Sequence, residues 1–343
     1  MKLLTVVIPT YNMEKYLDNC LQSFVNENNE LFSKIEVLVV NDGSTDKSVA
    51  IAKEYEERYP ECFRLIDKEN GGHGSTINVG IKESTGKYFR VVDSDDWVDT
   101  DNFYKYLEKL QNLDVDIVFT PYMSVDEETG RKKKFMYNTR GLEKEKECLI
   151  SDFLKGRQIK MHTITYKTNI LQKNNICLDE HCFYVDTEYV LFPLKYIQNC
   201  MLINNVVYMY RVNMSTQSCS NEGYFRHCED HRKVSLHLLD YISKELKMDI
   251  SLCKKKYYYG YILKMLEKQY RIYLMNCPFS AKNCREIISF DHAIKKKSRK
   301  IYKALDREQY IKELRETRFR GYIFHKLKFN WLQQKGKYSG LDF

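Results

Sequence analysis

The feature that most constrains this chain is a series of short apolar segments in its first 120 residues. Each is closed by a polar turn and followed by a helix-length polar stretch. The apolar segments are Leu3 to Ile8, Ile35 to Val40, Phe63 to Ile66, Tyr88 to Val92 and Ile117 to Thr120. Several are unbroken Val, Ile and Leu rather than alternating, the pattern of strands covered on both faces in a parallel sheet. Helices are expected between them, over about Glu14 to Asn26, Lys47 to Tyr59, Ser75 to Ser84 and Asp101 to Leu110. Asp46 or Thr45 is placed to cap the second, and Asp99 or Thr100 the fourth. Strand–helix alternation of this kind specifies an α/β doubly wound domain.

Past Pro121 the pattern loosens. The charged stretch Asp126 to Lys134 reads as a loop or hairpin turning at Gly130. Leu149 to Leu154 and Thr187 to Ile197 read as helical, and Met201 to Arg211 as paired strands around Asn204-Asn205. The carboxy-terminal third is rich in Lys, Leu, Ile and Tyr at helical spacing and reads as a mainly α-helical appendage. No apolar run approaches the ~18 residues that span a bilayer, and the amino terminus enters a strand without a signal-peptide core. Eleven cysteines, an odd number without a CxxC pair, suit reduced thiols. His162, Cys177, His181 and Cys182 match no zinc spacing. A cytoplasmic location is therefore expected.

Charge is uneven. From Ser220 onward there are 28 Lys and Arg against 14 Asp and Glu, while the remainder has 27 against 33. Lys254-Lys255-Lys256 precede Tyr257-Tyr258-Tyr259, and Lys295-Lys296-Lys297 precede Arg299 and Lys300. Basic and aromatic residues side by side suit peripheral docking at an anionic membrane surface, and equally a solvated helical face. No nucleic-acid motif accompanies them, so nucleic acid is not an expected partner.

Ligands of doubly wound sheets bind beyond the carboxyl ends of the strands, and the polar turns of this chain fall there. They are Pro9-Thr10-Tyr11-Asn12, Asn41-Asp42-Gly43-Ser44-Thr45-Asp46, Glu69-Asn70-Gly71-Gly72-His73-Gly74 and Asp93-Ser94-Asp95-Asp96. Turn chemistry alone explains one or two of them. It does not explain three aspartates within four residues after the apolar strand ending at Val92, whose mutual repulsion is costly unless a cation is shared. Oxygen-only ligands suit Mn2+ or Mg2+, completed by phosphate oxygens.

The set VVIPTYN, NDGSTD, ENGGHGSTINVG and VVDSDDWVD resembles the family 2 glycosyltransferases, in the same order and at the same strand ends, over about residues 3 to 120. The resemblance implies a GT-A fold, with residues 1–120 as its nucleotide-sugar half and 121–220 as its acceptor half; it fades after about residue 220, and 221–343 is the basic helical region read from composition and spacing. It also implies inverting transfer of a sugar from a nucleotide donor, usually a UDP-sugar, to a hydroxyl of a glycan, lipid-linked or protein-linked acceptor. Carried over residue by residue, Pro9, Thr10 and Tyr11 would line the base pocket, with Tyr11 against the nucleobase. Asp42 would bond the base edge, Asp95 would face the ribose, and Ser94 would belong to the donor-binding set. Asp96 would ligate the metal beside Asp95, with Asp93 in support. Asn78 matches an asparagine of the donor half, whereas Ile77 stands where the family usually has arginine. His73 either touches the donor sugar or fills the glycine-rich turn.

Tyr184-Val185-Asp186-Thr187-Glu188 resembles the second acidic motif of the family, with Val185 in place of its glutamate. The resemblance makes Asp186 the catalytic base, with Glu188 in reserve; a helix N-cap is the competing reading of Asp186. Tyr208-Met209-Tyr210-Arg211 and Ser215 to Ser218 resemble the strand and serine-rich loop that follow. Arg211 reads either as a contact to diphosphate or acceptor, or as half of a solvated ion pair. His162 reads as an acceptor-side residue or as a satisfied core histidine. A nucleotidyltransferase would want a glycine- and base-rich loop where this chain has Pro-Thr-Tyr-Asn. A nucleotide-sugar-binding module without turnover stays open because of Val185 and Ile77.

Overall fold

In chain order the strands are β1 (Leu4–Thr10), β2 (Ile35–Asp42), β3 (Phe63–Lys68), β4 (Tyr88–Val91), β5 (Trp97–Val98) and β6 (Ile117–Phe119), then β7 (Tyr122–Asp126), β8 (Lys132–Phe135), β9 (Glu147–Leu149), β10 (Ile164–Lys167), β11 (Asn199–Leu202) and β12 (Tyr208–Val212). β1 and β2 are buried along their whole lengths, which is why their sequences are continuous rather than alternating. The computed structural model describes residues 2–213 and 220–334. The chain forms two units, Met1–Met214 and Ser215–Phe343.

The first unit holds an eight-stranded sheet ordered β3-β2-β1-β4-β10-β6-β11-β9 and a four-stranded sheet ordered β5-β12-β7-β8. Within the large sheet, β3, β2, β1 and β4 run parallel, as do β6 and β11. β10 is antiparallel to β4 and β6, and β9 to β11. The register sets Thr10 beside Asn41, and Asp42 beside Lys68. The motif-bearing turns after β1, β2, β3 and β4 therefore share one edge. This is the mainly parallel α/β architecture that the apolar runs predict.

The helices of this unit are α1 (Leu17–Gln22), α2 (Ser48–Arg58), α3 (His73–Glu83), α4 (Thr100–Leu110), α5 (Ile150–Phe153), α6 (Thr168–Lys173) and α7 (Asp186–Leu191). Asp46 accepts the Ser48 N–H at 2.9 Å at the head of α2, and Asp99 accepts the Asn102 N–H at 3.0 Å to cap α4. α1 is shorter than the expected Glu14 to Asn26, for a local reason. The N–H groups of Asn12, Met13 and Glu14 are claimed by Ser44 Oγ, Ser48 Oγ and Asp46 Oδ2, so the chain is held to the turn after β2 before a helix can begin.

The hairpin of β7 and β8 turns through Gly130 at φ +67°, as expected. Met201 to Arg211 corrects the expectation of paired strands. β11 joins β6 in the large sheet and β12 joins β7 in the small one, so the Asn204-Asn205 turn carries the chain between sheets. Two thiol pairs come together that sequence spacing hides: Cys148 with Cys200 across β9 and β11 (3.5 Å), and Cys228 with Cys277 (3.4 Å).

The second unit is helical among its described residues: α8 (Asn221–Arg226), α9 (Cys228–Glu245), α10 (Leu252–Met275), α11 (Ala281–Lys297), α12 (Arg299–Ala304), α13 (Gln309–Glu316) and α14 (Tyr322–Gln334). Its interior holds Tyr270, whose hydroxyl donates to Asp291 (2.5 Å), and Asp291 also accepts from Arg315 Nε (2.6 Å). No helix among the described residues is long and apolar enough to cross a membrane. Ser215 to Ser218 lie outside the described residues.

One close approach fixes the site's geometry. A Cβ on Gly74, in the first turn of α3, would lie 2.0 Å from the Asp179 carbonyl oxygen. Gly74→Ala is expected to push α3 from residues 178–181 and to lower stability by about 1–3 kcal/mol, read as a shift in the urea midpoint at unchanged m-value.

Candidate functional site

Neighbouring turns at the sheet edge are latched by side chains. Asn12, at φ +53°, donates its N–H to Ser44 Oγ (2.9 Å) and accepts the Thr45 N–H on Oδ1 (2.8 Å). Asp42 is 3% exposed, and its carboxylate accepts the N–H groups of Gly71 (2.8 Å) and Gly72 (2.7 Å) and the Lys68 ammonium (2.7 Å). Asp42, expected at a base edge, folds the glycine-rich turn onto β2 through these bonds. Gly72, at φ +84°, supplies the left-handed backbone that this turn requires. Asn78, expected at the donor, forms a backbone-like pair with Leu178: Oδ1 accepts the Leu178 N–H (2.8 Å) and Nδ2 donates to its carbonyl (3.0 Å). Pro9 and Thr10 are buried in β1, with the Thr10 hydroxyl donating to the Ile8 carbonyl (3.1 Å). Tyr11, 49% exposed, is the residue of that motif with an open ring.

The three aspartates after β4 have three different environments. Asp93 accepts from His73 Nε2 (3.0 Å) and from the Tyr208 hydroxyl (3.3 Å). Burial opposes its ionisation, yet the hydrogen bond and charge of His73, with Tyr208, hold its carboxyl below the usual range. Asp95 is partly exposed, and its pKa is pushed up to about 6 by burial and by the Asp93 charge. Asp96, expected to ligate the metal, is 1% exposed and turned inward. Its oxygens accept the Tyr208 hydroxyl (2.6 Å) and the Arg211 N–H (2.6 Å), clamping β12 to this turn. Burial and the charges of Asp95 and Asp93 push its pKa well above the ordinary value. Ser94, expected in the donor-binding set, is 3% exposed.

His73 opens α3 and stands among the carboxylates. Burial lowers its pKa, but Asp93, Asp186 and Asp95 outweigh that and hold it above the ordinary value. The segment that leads to Asp186 is tied to the glycine-rich turn before His73 by the His181 N–H, which donates to the Gly71 carbonyl (2.6 Å). Asp186 is exposed in the first turn of α7, whose N-cap position is Val185, so the capping explanation does not apply. Glu188, held in reserve as base, is 0% exposed and accepts the Asp179 N–H at 2.7 Å, which places it away from solvent. Arg211 pairs with Glu127, donates Nε–H to the Asp95 carbonyl (2.8 Å) and stacks on Tyr16 and Trp97 at 4.8 and 4.7 Å. The pair with Glu127 is largely buried rather than solvated.

Three participants carried no site assignment from sequence. Tyr208 bonds both Asp93 and Asp96; the Tyr-x-Tyr-Arg pattern marked its strand but not its role. Lys68 meets Asp42 through the β2–β3 register, which leaves no mark in sequence. Arg90 on β4 is 0% exposed and donates to Thr120, Thr165 and the His162 carbonyl. His162 lies between the rings of Tyr208 and Tyr210, at 4.9 and 4.3 Å, and burial lowers its pKa to about 4.

The His73–Asp93 pair has a defined pH window. A His whose folded pKa is raised contributes stability below its unfolded value of about 6.5 and loses it as pH rises through the folded value. Asp93, with its pKa lowered, contributes above about 3.9 and loses it as pH falls through the folded value. His73→Gln is therefore expected to cost more stability at mildly acidic pH than at alkaline pH, measured by urea melts of both proteins.

Comparison with known proteins agrees with this geometry. The sequence profile described as Glycosyl transferase family 2 matches residues 5–175. Glycosyltransferase GlyA of Streptococcus pneumoniae serotype 4 is 38% identical over 127 residues, 37% of this chain and 18% of GlyA. Minor teichoic acid biosynthesis protein GgaB of Bacillus subtilis is 30% identical over 239 residues, 65% of this chain and 25% of GgaB. The chain thus spans a quarter or less of the length of these two relatives. The structure of S. aureus TarS 1–349 in complex with UDP superposes with a TM-score of 0.66 at 18% identity, covering 98% of this chain and 93% of that one. With the four strand-end motifs on one sheet edge and a matching profile over residues 5–175, the chain belongs to glycosyl transferase family 2 and has the GT-A fold.

Proposed function

We propose that this chain is an inverting glycosyltransferase that moves a sugar from a nucleotide donor of the UDP-sugar class to a hydroxyl of a glycan or glycoconjugate acceptor. The observation that carries the reading is the His73–Asp93 contact (3.0 Å) beside the partly exposed Asp95 beyond the carboxyl ends of the parallel strands, with the segment before α7 tied to the same edge by the His181 N–H donating to the Gly71 carbonyl (2.6 Å). The UDP complex of TarS, and the teichoic acid role in the name of GgaB, support the donor and acceptor classes.

The residues suit a divalent metal. Asp93 and Asp95 offer oxygen ligands only, both are partly exposed, and their like charges raise the Asp95 pKa. We assign metal holding to this pair rather than to Asp96, whose carboxylate is committed to Tyr208 and Arg211. A bound Mn2+ or Mg2+ supplies neutralisation of the charge that develops on the leaving nucleoside diphosphate.

The chain's own groups account for the rest. Tyr11 presents an open ring to the nucleobase, and the turn that Asp42 folds supports the wall beside it. Asp186 takes the proton of the acceptor hydroxyl as that oxygen attacks the anomeric carbon. The carbon–diphosphate bond breaks from the opposite face, leaving its electron pair on the diphosphate. The positive charge built up at the sugar is of the oxocarbenium kind. His73, paired with Asp93, fixes that carboxylate's orientation.

Asp186→Asn is expected to lower kcat by about 10²- to 10⁴-fold, the usual contribution of a general base, while calorimetric UDP affinity stays unchanged. Turnover at the wild-type rate would overturn the base assignment and leave Glu188 no better placed. Asp95→Asn is expected to weaken Mn2+-dependent UDP binding by at least about tenfold. Asp96→Asn is expected to act chiefly on the melting temperature.

A further inference from the structure

Helix α14 is apolar on two sides. Tyr322 and Phe329 are buried; the Tyr322 hydroxyl donates to the Tyr273 carbonyl (3.1 Å) and Lys326 Nζ to the Leu274 carbonyl (3.1 Å), so this side packs on α10. On the other side Ile323, Phe324, Leu327 and Trp331 are 52%, 65%, 65% and 50% exposed. At about 100° per residue these four positions fall within an arc of about 100°, a single stripe. Phe279, itself exposed, stacks on Tyr322 with ring centroids 6.0 Å apart. His325, Lys326 and Lys328 interrupt the apolar positions of α14, yet its outer apolar stripe meets solvent.

Charge selects what covers it. Arg318 and Arg320, just ahead of α14, and Lys328 within it are all exposed. The chain from Ser220 onward has 28 Lys and Arg against 14 Asp and Glu. A second copy of this unit would bring the same positive surplus to the contact, so self-association is opposed where an anionic partner is attracted. The stripe is aliphatic and aromatic, with the Trp331 indole N–H as its one polar side-chain group. Such a surface suits a fluid apolar boundary better than a protein partner that must match hydrogen bonds. Tryptophan and phenylalanine beside basic residues are the composition of helices that lie in a lipid interface.

We propose that α14 docks on an anionic phospholipid surface. Ile323, Phe324, Leu327 and Trp331 enter the boundary between headgroups and acyl chains, and Arg318, Arg320 and Lys328 meet lipid phosphates. Docking of this kind does not depend on the chemistry at the strand ends.

The test is flotation of the full chain with vesicles of phosphatidylcholine alone or doped with phosphatidylglycerol. The chain should float with the doped vesicles and detach as salt is raised. Phe324→Glu with Leu327→Glu should weaken binding roughly tenfold or more. Arg318→Glu, Arg320→Glu and Lys328→Glu together should do the same and abolish the salt dependence. Melting temperature and UDP affinity should match wild type in both variants, which separates lost docking from a lost fold or donor site. Absence of binding, or equal binding to both vesicle types, overturns the proposal. So does light scattering that shows a dimer dissociated by Leu327→Glu, since the stripe would then be a seam between copies.

Discussion

The first unit depends on how it accommodates a crowded set of carboxylates. Three aspartates within four residues cannot all be buried and charged without partners, because each desolvated anion costs several kcal/mol if left unpaired (about that order for any buried ion). The fold meets this constraint by giving each a different environment. Asp96 goes inside and is hydrogen-bonded by Tyr208 and the Arg211 backbone. Asp93 is paired with His73 at the edge. Asp95 keeps an exposed face and a raised pKa. The inward residue ties the large sheet's β4 turn to the small sheet's β12, and the other two stay partly exposed at the edge.

The same division recurs in the other motifs. A residue conspicuous in sequence because it is polar at a strand end is as often a latch between turns as a ligand contact. Asp42 folds Gly71 and Gly72 over, Asn12 binds the turn after β2, and Asn78 holds Leu178 from 100 residues away. These latches hold together turns whose backbone N–H groups have no strand partners, which is a stability requirement before it is a functional one. They also bring the loop that leads into α7, and with it Asp186, to the edge where Asp93 and Asp95 stand.

The helical unit follows a different economy. It buries a network of Tyr270, Asp291 and Arg315, with Tyr302 stacked against the guanidinium at 3.6 Å, so that a charged pair is satisfied inside a small core. The lysine run at the end of α11 faces solvent, whereas Lys254 of the other run is buried, and four exposed apolar side chains lie on α14. Composition announced the basic surplus, but only packing separated the face of α14 that meets α10 from the face that does not.

Local chemistry decided a good deal in advance. Unbroken Val and Ile runs such as Val37 to Val40 can only be central strands, Asp99 caps because a helix start needs an acceptor, and Gly130 turns because its φ is positive. Element type, the parallel order of the first strands and the edge where the motifs gather were therefore legible from residues alone. Which way a side chain points was not. Asp95 and Asp96 are adjacent and chemically identical, and only the presence of Tyr208 and Arg211 across the turn sends one inward and leaves the other at the surface. The same holds for Asp186 and Glu188, two residues apart on α7, where packing exposes one and buries the other. Sequence sets periodicity and turn chemistry because these act between near neighbours. Ionisable groups take their roles from partners distant in the chain, and those partners exist only once the sheets have assembled.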